Sequence, residues 1–467
     1  MPLLSERPEY FGTDGIRGQA NRGMLTPDMA TRIAMAVASW YRAQHGVMVS
    51  STPRVLIAKD TRLSGYLLEP ALTAGFIAAG MDVMLLGPLP TSAVSLLVPS
   101  TRSTLGIMIS ASHNPYRDNG IKIFGPRGHK LSTADECAIE AYIREPSLLY
   151  YAPPDALGRA SRLEDARGRY IEMIKHRLPS GLRLDGLRIV LDAAHGASYH
   201  VGPQILTELG ADVISAGVHP SGTNINDYCG STFPEKMQQM VKMHQADIGM
   251  ALDGDADRII LCDEEGEVIR GEECLGALAV FFAGSGKPME RGVVTTILAN
   301  RALDAYLEPY GIPVLRVPVG DRPVAEAMRD RGICLGGEPS GHMMFDADAA
   351  TGDGLLAGLQ AVAMMQAYGK TASACLHPFS LFPQISGHVS YDGGLSTEAI
   401  KSIEDRVREG LPADSRVILR PSGTEPILRI TLEGKDRGIL ERTMEETVAL
   451  LLHAMGRSLD GKGVDVD

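Results

Sequence analysis

Asp253, Asp255 and Asp257 stand at alternate positions in one five-residue stretch, and Arg258 follows at once. Three carboxylates this close repel one another unless a cation sits among them. An all-oxygen donor set suits a hard cation such as Mg2+. Alternate side chains of a turn or strand end converge on one side, which is what a shared cation needs. A solvated acidic loop is the alternative reading. The apolar lead-in Ile248–Leu252 favours the cation, because it reads as a buried strand delivering the acids to a sheet edge.

A second constellation is Gly106-Ile107-Met108-Ile109-Ser110-Ala111-Ser112-His113-Asn114-Pro115. An apolar strand runs into small residues and then a Ser-His-Asn-Pro turn. A hydroxyl there is free at a strand terminus, where the sites of α/β proteins sit. Ser112 is the expected nucleophile, since Ser110 continues the strand and Ser112 lies at its mouth. His113 and Asn114 could orient it or a bound anion; a plain Ser/Asn turn before proline is the competing reading. In Asp118-Asn119-Gly120-Ile121-Lys122 the Asn-Gly pair predicts a tight turn. Lys122 then sits on a strand between apolar neighbours. A buried lysine there is open to pKa depression and general acid/base work, whereas an edge lysine would only snorkel.

Three further loops carry weaker signals. Residues 336–342 (GGEPSGH) hold Glu338, Ser340 and His342 among small residues, and the carboxylate with the hydroxyl matches sugar hydroxyls. Residues 420–426 (RPSGTEP), with Arg429 beyond, offer backbone N–H groups and hydroxyls around a glycine between two arginines, an anion-binding arrangement. Residues 10–18 (YFGTDGIRG) form a Gly-studded segment from which Arg17 could reach a phosphate.

The elements that must position these residues recur. A strand, a helix and a second strand appear at 55–58, 67–79 and 80–86, again at 188–191 with a helix ending near Leu209 and 210–214, and again at 293–297, 299–310 and 311–315. In each copy a glycine (Gly80, Gly210, Gly311) stands where the helix should stop. The spacing suits three similar domains with largely parallel sheets covered by helices. Boundaries are expected at 150–163, 263–271 and 368–378, giving domains 1–155, 156–262, 263–374 and 375–467. The last of these reads as a small α+β unit: strand 385–391, helix 396–409, strands 416–419 and 427–432, and helix 440–455. Residues 461–467 are expected to fray.

With 467 residues and a net charge of -12, the chain is multidomain and ill suited to nucleic acid as its main partner. An anionic substrate would need a local basic lining. Six scattered cysteines without a CxxC pair point to buried reduced thiols in a cytoplasmic protein. The N-terminus lacks the apolar core of a secretory leader, and no apolar run is long enough to cross a bilayer.

Taken together, FGTDGIRG, KDTRLSGYLLE (59–69), SASHNPYRDNGIKIF, TNIN (223–226), DGDADR, VGDR (319–322) and SGTEP, in this order from about Tyr10 to Gly434, resemble the α-D-phosphohexomutase superfamily, and within it the phosphoglucosamine branch. The resemblance implies three similar α/β mixed-sheet domains and a smaller C-terminal α+β domain around a central cleft. It implies interconversion of glucosamine 6-phosphate and glucosamine 1-phosphate through a phosphoserine at Ser112 and a bisphosphorylated sugar, feeding UDP-N-acetylglucosamine and cell-wall synthesis. One Mg2+ per subunit would be held by Asp253, Asp255, Asp257 and the phosphate on Ser112, with a sugar 1,6-bisphosphate as activator. Glu338 and Ser340 would take sugar hydroxyls. Arg420, Ser422, Gly423, Thr424 and Arg429 would hold the phosphate that is not reacting. Lys122, Arg17 and His113 would handle protons and charge at the reacting end, supported by Arg258 and Arg322. The branch suggests a homodimer without nucleic-acid or membrane partners. Ala256 departs from the commoner glycine, Pro339 from a glutamine and Pro323 from an aromatic; the last two put fine sugar contacts in doubt, not the phosphoryl chemistry. The alternatives are the same mutase chemistry on mannose or glucose phosphate, a Mg2+-dependent serine phosphatase, or a catalytically silent sugar-phosphate binder.

Overall fold

Each of the three strand–helix–strand units proves to be the first half of a larger repeat. In the computed structural model, which describes residues 8–46, 52–391, 393–412, 415–421, 426–456 and 464–466, strand Arg54–Lys59 leads through helix Gly65–Ala78 to the parallel strand Asp82–Pro88. Strand Leu105–Ile109 then joins the other side of Arg54–Lys59 in parallel, and Asp118–Phe124 folds back antiparallel to it. The second sheet repeats this with Arg188–Asp192, Asp212–Ala216, Ile248–Leu252 and the antiparallel Ile259–Cys262. The third does so with Val293–Thr296, Val314–Val317, Leu335–Gly337 and the antiparallel Met343–Phe345. All three share one lateral order: fourth strand, third, first, second.

The first sheet is widened to seven strands. Gly15–Gln19 and Phe11–Gly12 add to one edge and Ala160–Arg162 to the other. The segment expected to be a boundary at 150–163 therefore ends in an edge strand of this sheet. The second sheet gains Val268–Ile269. The helix stops fall where the glycines predict: Gly80, Gly210 and Gly311 have φ of 79°, 103° and 67°, a left-handed conformation that costs a side-chain-bearing residue about 1–2 kcal/mol.

The chain forms two compact units, Met1–Ala299 with Tyr306–Pro378, and Asn300–Ala305 with Phe379–Asp467. The first holds the three repeated sheets. One of its cores lies where helices Pro27–His45 and Gly65–Ala78 pack Ile33, Val37, Leu68, Leu72 and Phe76 against Val55, Ile57 and Ile107. The second is a four-stranded antiparallel sheet in the order Arg416–Pro421, Ile427–Glu433, Gln384–Ser390, Val464–Val466, with helices Thr397–Glu409 and Arg437–Ala454. Apart from that last strand, these are the elements expected of the C-terminal domain.

Two expectations need correction. Asn119 and Gly120 form no tight turn but lie within strand Asp118–Phe124. Glycine is required there because a Cβ would stand 2.5 Å from the Ser110 carbonyl oxygen. The stretch 461–467 is not frayed throughout: Val464–Val466 pairs with Gln384–Ser390, whose outer edge would otherwise present unpaired backbone groups.

Among the described residues no helix is long and apolar enough to cross a membrane. All six cysteines are free thiols; five are buried and Cys334 is half-exposed. Burial pushes the Cys229, Cys262 and Cys274 thiols up to about 12, so they carry almost no thiolate at neutral pH. Titration of the native protein with a thiol-specific disulfide reagent at pH 8 should therefore show one fast thiol, at Cys334, and six after denaturation. Several fast native thiols would contradict this packing.

Candidate active site

The turn between the third and fourth strand of each repeat carries chemistry. In the first repeat it is the segment from Ser110 to Arg117, in the second the segment from Asp253 to Arg258, in the third the segment from Glu338 to His342. These turns leave the carboxyl ends of parallel strands, the usual place for sites in α/β sheets.

Ser112 is fully buried and has φ of 53°, a left-handed conformation that costs a serine about 1–2 kcal/mol. Its Oγ–H donates to Asp253 Oδ2 at 2.6 Å, and His113 Nδ1 lies 3.4 Å from the Ser112 Oγ. The Ser112 N–H donates to the Ser110 hydroxyl (2.9 Å), which donates in turn to Asp60 Oδ2 (2.7 Å). Strand Leu105–Ile109 stops one residue before Ser110, and Ser110 is fully engaged as a support. Ser112, not Ser110, faces the acids.

Strand Ile248–Leu252 is buried throughout and ends at Asp253, as its apolar run predicts. Oxygens of Asp253, Asp255 and Asp257 lie within 4.8 Å of one another, and all three residues are buried. Lys122 reaches in from strand Asp118–Phe124. Its Nζ lies 2.8 Å from Asp255 Oδ2, 3.2 Å from Asp257 Oδ2 and 2.8 Å from Asp14 Oδ2. Arg17 and Lys130 also pair with Asp14, and Lys130 with Asp321. The Thr91 hydroxyl donates to Asp255. His342 Nε2 lies 2.8 Å from the Gly352 N, and its Nδ1 lies 3.6 Å from Asp257 Oδ1.

These charges set one another's protonation. Burial, then the neighbouring Asp257 and Asp255, pushes the Asp253 carboxyl well above the usual range. Burial pushes Asp257 the same way, but Lys122, His342 and Arg258 outweigh it and hold that carboxyl well below. Asp14 is likewise held low by Lys122, Lys130 and Arg17 against burial. The expectation that burial would depress Lys122 fails. Burial does act in that direction, but Asp14, Asp255 and Asp257 overwhelm it and raise the lysine well above its ordinary value. Burial, with Arg258 and Arg17 nearby, takes His113 down to about 4, so its imidazole is neutral at pH 7.

The residues present fit a divalent cation. Asp255 Oδ1 and Asp257 Oδ1 are buried without a hydrogen-bond partner, a costly state for carboxylate oxygens unless a cation takes them. Ala256 has φ of 58°, the conformation for which glycine is the cheaper residue, yet the alanine leaves the three carboxylates convergent.

The remaining predicted residues fall as follows. Arg258 flanks the acids, its N–H donating to Asp253 Oδ1 (3.2 Å) and its Nε 3.8 Å from Asp257. Glu338 is half-buried and accepts the Gly320 N–H (3.2 Å). Ser340 is exposed in the turn closed by the Gly341 N–H to the Glu338 carbonyl. Arg322 forms a two-pronged pair with Glu136 of helix Thr133–Arg144. In the second unit, Arg420 and Arg429 stand directly opposite each other across two antiparallel strands. Burial and then Arg429 lower the Arg420 pKa. Ser422, Gly423 and Thr424 lie outside the described residues. Reasoning from residue types assigned no role to Asp14, Asp60, Arg62, Thr91, Lys130 or Asn226. The signal for Asp60 and Arg62 was present: charged residues directly follow the apolar strand Val55–Ala58, as they do at Asp253.

Lys122→Ala would leave Asp14, Asp255 and Asp257 short of their shared ammonium. It should lower the stability of the metal-free protein by about 3–5 kcal/mol in urea unfolding. An unchanged midpoint would mean that the ammonium is not what compensates these carboxylates.

The chain matches known proteins along most of its length. Family models for phosphoglucomutase/phosphomannomutase alpha/beta/alpha domains I, II and III match residues 8–149, 168–266 and 270–382, and that for the C-terminal domain matches 390–450. The chain is 49% identical over 441 residues to a phosphoglucosamine mutase of Sphingopyxis alaskensis, covering 93% of this chain and 97% of that one. It is 49% identical over 450 residues to a phosphoglucosamine mutase of Rhodospirillum centenum, covering 94% of each. Its fold is similar to the crystal structure of a phosphoglucomutase/phosphomannomutase family protein from Burkholderia thailandensis, with a TM-score of 0.80 at 23% identity, covering 95% of this chain and 97% of that one. With all four domains matched in order along most of its length, the chain belongs to the phosphoglucomutase/phosphomannomutase family.

Proposed function

We propose that this protein interconverts glucosamine 6-phosphate and glucosamine 1-phosphate by way of a phosphoserine at Ser112. The observation that carries the reading is the buried Ser112 hydroxyl 2.6 Å from Asp253, inside a convergent carboxylate triad. Relatives at 49% identity along nearly the whole chain are phosphoglucosamine mutases, which supports a hexosamine phosphate as substrate.

In the first half-reaction the bond from Ser112 Oγ to phosphorus breaks as a bond from phosphorus to the free sugar hydroxyl forms. The hydroxyl proton passes to the reacting end, where the neutral His113 imidazole can take it and the cationic Lys122 and Arg17 supply charge. The bisphosphorylated sugar then turns end for end, and its other phosphoryl group returns to Ser112. One Mg2+ per subunit, held by Asp253, Asp255 and Asp257, would neutralise charge on the transferring group, the main demand of phosphoryl transfer. Arg258 and Arg322 support that charge balance. Glu338 and Ser340 take sugar hydroxyls. Arg420 and Arg429, with Ser422, Gly423 and Thr424, take the phosphate that is not reacting. Two arginines set opposite each other on a sheet repel, and an anion between them relieves that repulsion. A sugar 1,6-bisphosphate charges Ser112 at the outset. The assembly is a homodimer in the cytoplasm.

Ser112→Ala should abolish isomerisation of glucosamine 6-phosphate in a coupled assay; wild-type turnover in that variant would overturn the nucleophile assignment. Dialysis against a chelator should remove activity and Mg2+ should restore it, whereas full activity after rigorous metal removal would refute the role of the triad. Turnover on glucosamine phosphate should exceed that on glucose or mannose phosphate.

A further inference from the structure

The backbone that carries Ser112 is gripped from two sides. Arg62 is almost wholly buried, and each of its five guanidinium N–H groups has an acceptor. Nε–H donates to Asp60 Oδ2 (2.7 Å). Nη1 donates to the carbonyls of Pro115 and Asp118, the latter at 3.0 Å, and Nη2 to those of Ser112 (2.8 Å) and Asn114 (2.9 Å). Asp60 also accepts the Arg62 N–H (3.0 Å) and the Ser110 hydroxyl (2.7 Å), so one carboxylate anchors both the arginine and the support beneath Ser112.

Asn226 approaches the same two carbonyls from a different segment. Its Nδ2 donates to Ser112 O (2.9 Å) and Asn114 O (3.0 Å). Both carbonyls therefore accept two hydrogen bonds each, which uses both lone pairs. Asn226 has φ of 57° and donates its own N–H to Ala194 O (3.0 Å). Gly254, between the first two acids of the triad, packs onto this junction: a Cβ there would stand 2.6 Å from Ser112 O and 3.0 Å from Asn226 Nδ2. The amide of Asn226 thus sits where the serine turn meets the acid turn.

We propose that Arg62 and Asn226 are positioning residues for phosphoryl transfer: held between them, the Ser112 carbonyl cannot rotate, and the Ser112 hydroxyl stays aimed at the acid triad despite its left-handed backbone. Freeing that carbonyl lets the peptide to His113 turn, which swings the hydroxyl and the imidazole away together. A misplacement of 1 Å in a reacting group costs on the order of a hundredfold in rate. Only a planar fork reaches four carbonyls and a carboxylate at once, so lysine does not replace Arg62. This inference rests on the mutase reading above.

The test uses the full-length enzyme. Asn226→Gly removes the amide while keeping a residue at ease with positive φ, Asn226→Asp is isosteric but sets an oxygen against two carbonyls, and Arg62→Lys keeps a cation beside Asp60. The readouts are single-turnover phosphate transfer from glucosamine 1,6-bisphosphate to Ser112, followed by mass, together with kcat, KM and Tm, all at a temperature where each variant is folded. Transfer rate and kcat should fall by about 10–100-fold in Asn226→Gly, more in Asn226→Asp, with KM within about threefold of wild type. Variants that lose only Tm, and transfer phosphate at the wild-type rate when folded, overturn the proposal. Should Arg62→Lys not fold, the Asn226 pair decides alone. A wild-type enzyme that takes no phosphate on Ser112 overturns the mutase reading and this inference together; normal wild-type labelling with unslowed variants overturns this inference only.

Discussion

A buried ammonium amid carboxylates is the constraint on which the rest of this structure depends. Lys122 is about 1% exposed and touches Asp14, Asp255 and Asp257. In a low-dielectric interior neither sign is tolerable alone, and attraction is strong only because water is absent. The same arrangement leaves carboxylate oxygens with unmet demand, which a divalent ion is built to meet. The apolar strands that carry these residues therefore do more than fill a core. They exclude the solvent that would weaken every charge interaction in the site.

Architecture and chemistry follow one rule. Three sheets share one strand order, and each places its reactive groups in the turn from its third strand to its antiparallel fourth. Up to that turn the third strand is locked by a neighbour on each side. Beyond it the backbone is released to take unusual conformations, such as the positive φ of Ser112 and Ala256. One repeat supplies a hydroxyl, the next three acids, the third a carboxylate and an imidazole. Helices and parallel strands are the common frame, and the turns are where the copies differ.

Much of this was legible in residue order. The apolar run into Asp253 announces a buried strand, and glycines at the three helix ends announce both the period and its stops. Ser112 could be told from Ser110 by distance from the strand. What escaped notice depends on partners far along the chain. Arg62 looks like a surface charge until the carbonyls 50 to 56 residues away are seen to fill its fork. Asn226 looks like a loop residue until its amide meets Ser112, 114 residues earlier. Lys122 lies on a buried strand as its apolar neighbours predict, but its protonation follows from three acids supplied by two other segments, not from those neighbours. Asn119-Gly120 shows the converse failure: a strong local turn signal overridden by a backbone that passes too close for any Cβ.

The distances along the chain that hid these contacts also fix when the site can exist. Ser112 meets Asp253 across 141 residues, Lys122 meets Asp255 across 133, and Thr91 meets Asp255 across 164. None of these pairs can form while either sheet is still unstructured, because closing such loops is rewarded only once both ends are rigid. During synthesis the ribosome releases the hydroxyl long before the acids, so a nascent chain has no chemistry to perform. The contacts between Ser112, Lys122, Thr91 and the acids exist only once the first two sheets are folded and packed together.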